Sequence, residues 1–420
     1  MTMNFDVDHY LHPTASSMER SQILQILEQV RALQAQNIEV CNLTIGDFDT
    51  TYFPIPDGFA EEVQKSYARK ETSYPPSAGV ASLRKAIANL YSQELNIPCS
   101  VDNVCVASGA RPPIYATWRL FVGPNEKSVS FLPAWNIGYY AHLNQSNHHF
   151  FKTSAESNFH PTAEQVRQAL PDCKLIILNT PLNPTGTMID PTVLEEICWS
   201  IVQENKKRVS RPVMLLFDQV YWMLTHGKQH HTPTSLVPEV APYVIYVDAM
   251  SKNFTGTGLR VGWGVVPAAI QPKMTTYLAH MGAWASRPEQ EASAWILRSK
   301  SQRTAYVQTL KAGILDRLQC LYDGLLDLKS QGYPIEVIPP QGAIYLSMRL
   351  DLIGKKFESN EAIRDWLLKQ AQIAAVPFQA FDMKEDSGWF RLSVGTASIK
   401  ALKNALNRLE NALRTLGNDL

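Results

Sequence analysis

Between Val101 and about Val266, short apolar runs alternate with stretches of helical periodicity, the runs covering residues 104–107, 127–132, 175–178, 213–217, 244–247 and 261–266. Runs this short and this continuously apolar suit strands buried on both faces, and strands separated by helices build a mostly parallel sheet wrapped by helices. At 420 residues the chain has room for one large core and a second lobe, which excludes a single small domain. Ahead of the alternating region, residues 17–36 read as an amphipathic helix with Ile23, Ile26, Leu27, Val30 and Leu33 at helical spacing. A short strand follows over 40–45, ending at Gly46-Asp47, and helices are predicted over 57–69 and 81–94. The segment between those helices, Ser73-Tyr-Pro-Pro-Ser-Ala-Gly79, is too rich in Pro and Gly for regular structure. Beyond the alternating region, helical patterns over 269–285 and 288–328 lead to a C-terminal lobe with strands near Ile335, Ile344 and Phe390 and a closing helix over 398–416. The expected architecture is α/β. Residues 1–52 form an N-terminal arm and part of a small domain, residues 53–305 a large domain, and residues 306–420 complete the small α+β domain.

The 39 basic and 39 acidic residues balance, and neither end carries a charged tail. No nucleic acid or membrane partner is therefore expected. The six cysteines, Cys41, Cys99, Cys105, Cys173, Cys198 and Cys320, form no Cys-x-x-Cys pair and have no histidine at ligand spacing. They read as reduced thiols of a cytosolic protein rather than as a metal site. Residues 1–11, with Asp6 and Asp8, lack the apolar core of a secretion signal. No uncharged apolar run approaches the roughly 20 residues of a membrane helix. The expectation is a soluble, cytoplasmic protein.

Polar residues stand where the apolar runs end. Lys252 follows the run 244–247 in Asp248-Ala-Met-Ser-Lys-Asn-Phe-Thr-Gly-Thr-Gly-Leu-Arg260, and packing gives no reason for a lysine there. A strand-end lysine in a cleft is a candidate Schiff-base former once desolvation, or a cation such as Arg260, favours its neutral amine. Asn179-Thr-Pro-Leu-Asn183-Pro-Thr-Gly186 follows the run 175–178, and Asp218-Gln-Val-Tyr221 follows 213–217. In open α/β sheets the carboxyl ends of the strands are where ligands bind. A buried Asp holds a pyridine nitrogen protonated, and Asn and Tyr hydrogen-bond a phenolate oxygen on the same ring, so the ligand these groups describe is pyridoxal phosphate.

With these motifs in this order, the chain resembles the fold-type I pyridoxal-phosphate enzymes of the class I/II, aspartate aminotransferase-like group, from Gly46 to Arg391. The matching motifs are Asn183-Pro-Thr-Gly186, Asp218-Gln-Val-Tyr221, Lys252 with Gly258-Leu-Arg260-Val-Gly262, and Arg391-Leu-Ser393. The resemblance implies that the cofactor is carried covalently on Lys252, which also acts as the base. Asp218 then faces the ring nitrogen, and Asn183 and Tyr221 the ring oxygen. The phosphate falls at Ser108-Gly109-Ala110, where a strand gives way to a helix, with Ser251 and Arg260 completing its site. Pro112 and Pro113 remove two amide donors there. Ala249 stands where the family often has a hydroxyl, leaving Ser251 or Thr255 to compensate. Trp135 matches the aromatic stacked on the ring, a contact that adds about 0.5–1.5 kcal/mol beyond burial. Tyr74 matches a tyrosine that reaches the phosphate of the neighbouring subunit, which implies a homodimer with shared active sites.

An arginine in the apolar strand around Arg391 needs an anion. The resemblance makes that anion the substrate α-carboxylate, helped by Asn183 and the backbone at Gly46; a buried ion pair is the alternative. Arg287, reaching across a dimer interface, is a candidate for a side-chain carboxylate. Arg111 lies one position from a substrate-binding lysine of some aspartate-type members, while Trp135, Tyr139 and Tyr140 suit an aromatic substrate equally well. The implied activity is transfer of the amino group of an α-amino acid, aspartate or glutamate or an aromatic one, to a 2-oxo acid by ping-pong kinetics. A carbon–sulfur β-lyase or a cyclopropane-forming synthase shares the same motifs. A non-catalytic effector-binding module, as in regulators with an aminotransferase-like domain, is disfavoured by the absence of a basic patch and of room for a DNA-binding domain before Met18.

Overall fold

The computed structural model describes residues 7–416; the first six residues, part of the stretch read for a secretion signal, lie outside the described residues. Its centre is a seven-stranded sheet of β1 (Val104–Ala107), β2 (Lys127–Leu132), β3 (Asn147–Lys152), β4 (Cys173–Asn179), β5 (Met214–Asp218), β6 (Val244–Ala249) and β7 (Gly262–Val265). The spatial order is β1-β7-β6-β5-β4-β2-β3. Every neighbouring pair is parallel except those involving β7, which runs against both β1 and β6.

The apolar runs are continuous because alternate residues enter separate cores. Val104, Val106, Ile176, Leu178, Leu215, Phe217 and Val244 pack on one side of the sheet. Cys105, Ala107, Leu175, Ile177, Met214, Leu216 and Ile245 pack on the other. Both faces are covered, as the composition of the runs requires. The edge strand β3 departs from this pattern: Asn-His-His-Phe-Phe-Lys is mostly exposed, and its polar residues conceal it from a search for apolar runs.

Helix Ala81–Glu94 has its expected bounds, and the helix predicted over 57–69 is Phe59–Ala68. The pattern over 269–285 yields the shorter helix Gln271–His280. The pattern over 288–328 is two helices, Arg287–Arg298 and Lys300–Ser330, because Ser299 at φ −81° and ψ 74° leaves the helical basin. At the N-terminal end the helix is Gln22–Gln34, and the strand expected over 40–45 contracts to Cys41–Asn42, paired in parallel with Ile373–Ala374.

The second lobe holds an antiparallel sheet of β8 (Ile335–Val337), β9 (Tyr345–Leu350), β10 (Val376–Pro377) and β11 (Trp389–Ser393), ordered β10-β11-β9-β8. Helices Asn360–Gln370, not anticipated, and Ile399–Thr415 flank it. Leu43, Leu310, Ile314, Leu346, Phe390 and Leu402 share its core, so N-terminal, bridging-helix and C-terminal segments fold as one lobe. Among the described residues no helix is long and apolar enough to cross a membrane.

Candidate active site

Strands β4 and β5 end at Asn179 and Asp218, β6 ends three residues before Lys252, β2 three residues before Trp135, and β1 one residue before Ser108. These carboxyl ends share one edge of the sheet and open into a cavity of about 500 Å³. Its wall brings together Gly46, Ala110, Trp135, Asn183, Asp218, Tyr221, Ser251, Lys252, Arg260 and Arg391.

Lys252 lies on the helical turn Met250–Asn253, where its Nζ donates to the Gly46 carbonyl and sits 5.9 Å from the centre of the Tyr221 ring. Burial lowers its pKa from 10.5 to about 8; Arg391, Arg111 and Arg260 push the same way, and Asp47 opposes them. A substantial neutral fraction therefore exists near pH 8, as nucleophilic attack by an amine requires. Gly46 is needed at this point because a Cβ there would collide with the Tyr345 hydroxyl.

Asp218 presents its carboxyl to the same cavity, and its Oδ1 accepts from Val220 N at 3.2 Å. Burial raises its pKa from 3.8 to about 7, against the hydrogen bond from Val220 and the charge of Lys252. One strand over, the fully buried Asp248 accepts from Trp222 Nε1 at 2.8 Å and Ala249 N at 2.7 Å. It thereby ties the loop carrying Tyr221 to the turn carrying Lys252.

Arg391 is 1% exposed and has no carboxylate partner among the described residues. Its Nη1 donates to Asn183 Oδ1 at 3.0 Å and its Nη2 to Thr44 O, while Nε is buried without a partner. The guanidinium lies 4.7 Å from the Tyr345 ring centre and 4.9 Å from that of Phe381. The buried ion pair that would explain Arg391 structurally is absent from the described residues. A buried guanidinium without an acidic partner has the charge and the donors to receive an anion.

At the β1 end, Arg260 Nη2 donates to Ser108 O at 3.2 Å and Nη1 to Thr257 O at 2.7 Å. Arg260 adopts φ 55°, a left-handed conformation costing a residue with a Cβ about 1–2 kcal/mol. Gly109 has φ +99°, and a Cβ on it would strike the same guanidinium. The amides of Ser108 and Gly109 are committed to Ala283 O and Ala107 O, both at 2.8 Å. With Pro112 and Pro113 next in the helix Arg111–Phe121, the amides of Ala110 and Arg111 remain as first-turn donors. Ser251 lines the cavity, but Thr255 does not compensate for Ala249: its hydroxyl meets Pro54 O at 3.1 Å and Tyr306 Oη at 2.8 Å.

Ser108 and Gly109 thus contribute through backbone contacts with Arg260. Tyr74 and Arg287 lie outside the cavity within this chain. Tyr74 is 83% exposed with its ring 5.4 Å from Trp284, and Arg287 stands 3.8 Å from Glu71. Arg111, by contrast, lines the cavity with its guanidinium 4.9 Å from the centre of Trp135. Tyr345, absent from the motifs above, also lines the cavity and shares a 2.6 Å hydroxyl contact with Tyr221. Asn179 also belongs to the site, its Oδ1 accepting from Asn183 N at 2.8 Å and its Nδ2 donating to Asp218 O at 3.0 Å. Tyr345 sits in an apolar strand and gives no polar signal; Asn179 was visible as the first polar residue after the run 175–178.

The donor set fits pyridoxal phosphate: an enclosed lysine, a desolvated carboxyl aimed into the cavity, and an arginine packed against a glycine at a helix start. A profile of the aminotransferase class I and II family matches residues 38–409. An aspartate aminotransferase of Bacillus sp. (strain YM-2) is 25% identical over 402 residues, covering 94% of this chain and 96% of the relative. A probable aspartate/prephenate aminotransferase of Rickettsia typhi is 26% identical over 414 residues, covering 96% and 98%. Among solved structures, the aspartate aminotransferase of Thermus thermophilus with maleate superposes with a TM-score of 0.86 at 23% identity, covering 96% of this chain and 99% of that one, a likeness of fold.

Proposed function

The chain belongs to the class I and II aminotransferases, enzymes of pyridoxal-phosphate-dependent amino-group transfer, and from that premise we propose how its own residues carry the reaction. Lys252 is the residue to which the cofactor is covalently joined. The observation that carries this reading is the convergence of Lys252, Asp218 and Arg391 on one cavity, with the lysine amine lowered to about 8 and the carboxyl raised to about 7. When bound, pyridoxal phosphate supplies an electron sink for the pair left on the substrate Cα and a carrier for the amino group.

Arg391 and Asn183, with the backbone at Gly46, bind the substrate α-carboxylate. Freed from the cofactor when the substrate's amino group takes its place, Lys252 Nζ would take the proton from Cα and return it, general acid–base work suited to an amine titrating near 8. Asp218, whose desolvated carboxyl would gain a cationic partner in a protonated ring nitrogen, would hold that proton in place. Tyr221, backed by Tyr345, and Asn183 face the ring oxygen. Trp135, on the cavity wall, would stack on the cofactor ring. Arg260, Ser251 and the amide end at Ser108, Gly109 and Ala110 hold the phosphate.

The substrates are an α-amino acid and a 2-oxo acid exchanged by ping-pong kinetics. The relatives' names, aspartate and aspartate/prephenate aminotransferase, favour an acidic amino acid, with a dicarboxylic 2-oxo acid as its exchange partner, and they do not favour the carbon–sulfur lyase reading. Arg111, a cavity-lining cation that neither the α-carboxylate nor the phosphate engages in this scheme, supports the acidic choice. The chain works as a cytoplasmic homodimer in which the exposed Tyr74 and Arg287 serve the partner's site. The division at residues 52/53 and 305/306 remains our proposed domain boundary; the shared core of Leu43, Leu310, Leu346 and Phe390 supports it, while Val376, Phe378 and Trp389 pack across it against the large sheet. A spectrophotometric half-reaction screen of all amino acids tests the reading. Conversion of the cofactor absorbance by a subset of amino acids, with no oxo acid present, is expected; steady release of pyruvate and ammonia from cysteine conjugates would establish the lyase instead.

A further inference from the structure

A second cavity, of about 300 Å³, opens between the bridging helix Lys300–Ser330 and the loop that follows Tyr221. Helix residues Arg303, Gln308 and Lys311 form one wall; Trp222, Thr225 and Gln229 stand opposite. The charges of this cavity do not cancel. Glu94 is answered by Arg303, and the Leu95 carbonyl accepts from Thr232 Oγ1 at 3.3 Å. His230 is kept neutral, since burial lowers its pKa to about 3. Lys311 is left over. No carboxylate among the described residues pairs with it, its one hydrogen bond runs 3.5 Å to Thr225 Oγ1, and burial lowers its pKa with no acid offsetting the effect.

A partly desolvated ammonium at one end of a cavity rich in amide and hydroxyl groups is a receptor for a small anion. We propose that this cavity binds a small oxyanion, a carboxylate or a phosphate, whose negative charge pairs with Lys311 and whose remaining oxygens take hydrogen bonds from Thr225, Gln229 and Gln308. Such a ligand would join the bridging helix to the loop that begins next to Tyr221, linking its occupancy to the arrangement of the two lobes. The site is separate from the cavity of Lys252, and its existence does not depend on the catalytic reading.

The test uses the cofactor-loaded enzyme, in which the cofactor phosphate occupies the Arg260 end, at constant ionic strength set with chloride. Thermal stability is followed against inorganic phosphate in one series and acetate in another. A rise that follows RT ln(1 + L/Kd), with L the free ligand concentration, flat below Kd and logarithmic above it, is expected in at least one series, because a ligand bound only by the folded state stabilises it by that amount. Lys311→Met should weaken the apparent affinity at least about tenfold, and Lys311→Arg should retain it. Basal turnover should be unchanged in both variants. The series that shows this dependence identifies the class of oxyanion. The same rise in Lys311→Met, or no rise of this logarithmic form in either series with the wild type, would overturn the proposal.

Discussion

Replacing Asp218 by asparagine should make the cofactor-free protein more stable while removing its activity, and the gain should depend on pH. Burial raises the carboxyl from 3.8 to about 7, so ionising it in the folded state costs at most on the order of 4 kcal/mol more than in the unfolded chain. The direction follows from proton binding. Between the two pKa values the folded protein holds the proton more tightly than the unfolded chain, so stability falls as pH rises through this window and the loss is complete above about 7. At pH 8 the full penalty applies; at pH 5 about a third of it does. Asparagine is isosteric, keeps an oxygen to accept from Val220 N, and carries no charge to desolvate. Urea denaturation of the apoproteins should show Asp218→Asn stabilised over wild type at pH 8 by an amount on the order of 1–4 kcal/mol, shrinking toward pH 5. In the loaded enzyme the same change should lower turnover by orders of magnitude, since asparagine cannot hold the ring nitrogen protonated. Destabilisation at pH 8, or an equal gain at both pH values, would refute the account of a carboxyl desolvated for function.

Arg391→Lys keeps the charge but loses the fork that meets a carboxylate with two donors; catalytic efficiency for every amino acid should fall about 10- to 100-fold, with uncarboxylated amines much less affected, in single-turnover half-reactions. Equal losses for both classes would mean that Arg391 is structural. Tyr345→Phe removes the hydroxyl 2.6 Å from that of Tyr221 and should cost about 1 kcal/mol in the half-reaction, with a shift in the pH titration of the bound chromophore; an unshifted titration would separate Tyr345 from the site. Arg287→Ala should penalise only aspartate and glutamate, whereas a uniform loss across acidic and neutral substrates would assign it to its contact with Glu71.

The central sheet was legible because strands buried on both faces must be apolar at consecutive positions, and the site was legible because polar residues mark where those strands end. Asn179, Asp218 and Lys252 are conspicuous for that reason. The strand β3 escaped because an edge strand has no such requirement, and its two histidines and terminal lysine look like loop. The break at Ser299 falls in the polar stretch Arg298-Ser-Lys-Ser-Gln-Arg-Thr304, a gap in the apolar periodicity that a solvent-facing stretch of one continuous helix would also leave. Tyr345 illustrates a different limit: it resembles a core residue in an apolar strand, and only the crossing of that strand over Gly46 and Arg391 turns its hydroxyl and ring toward the cavity. Thr255 shows the converse, a hydroxyl in the right part of the sequence that folds toward Pro54 and Tyr306 instead.

The assignment of Lys252 is tested most directly by reducing the yellow holoenzyme with borohydride and locating the fixed cofactor by peptide mass spectrometry. The mass should appear on the peptide containing Lys252 and nowhere else, and Lys252→Ala should fold, acquire no fixed cofactor and lose transamination. Label on a different lysine, or transamination retained in the alanine variant, would contradict the account.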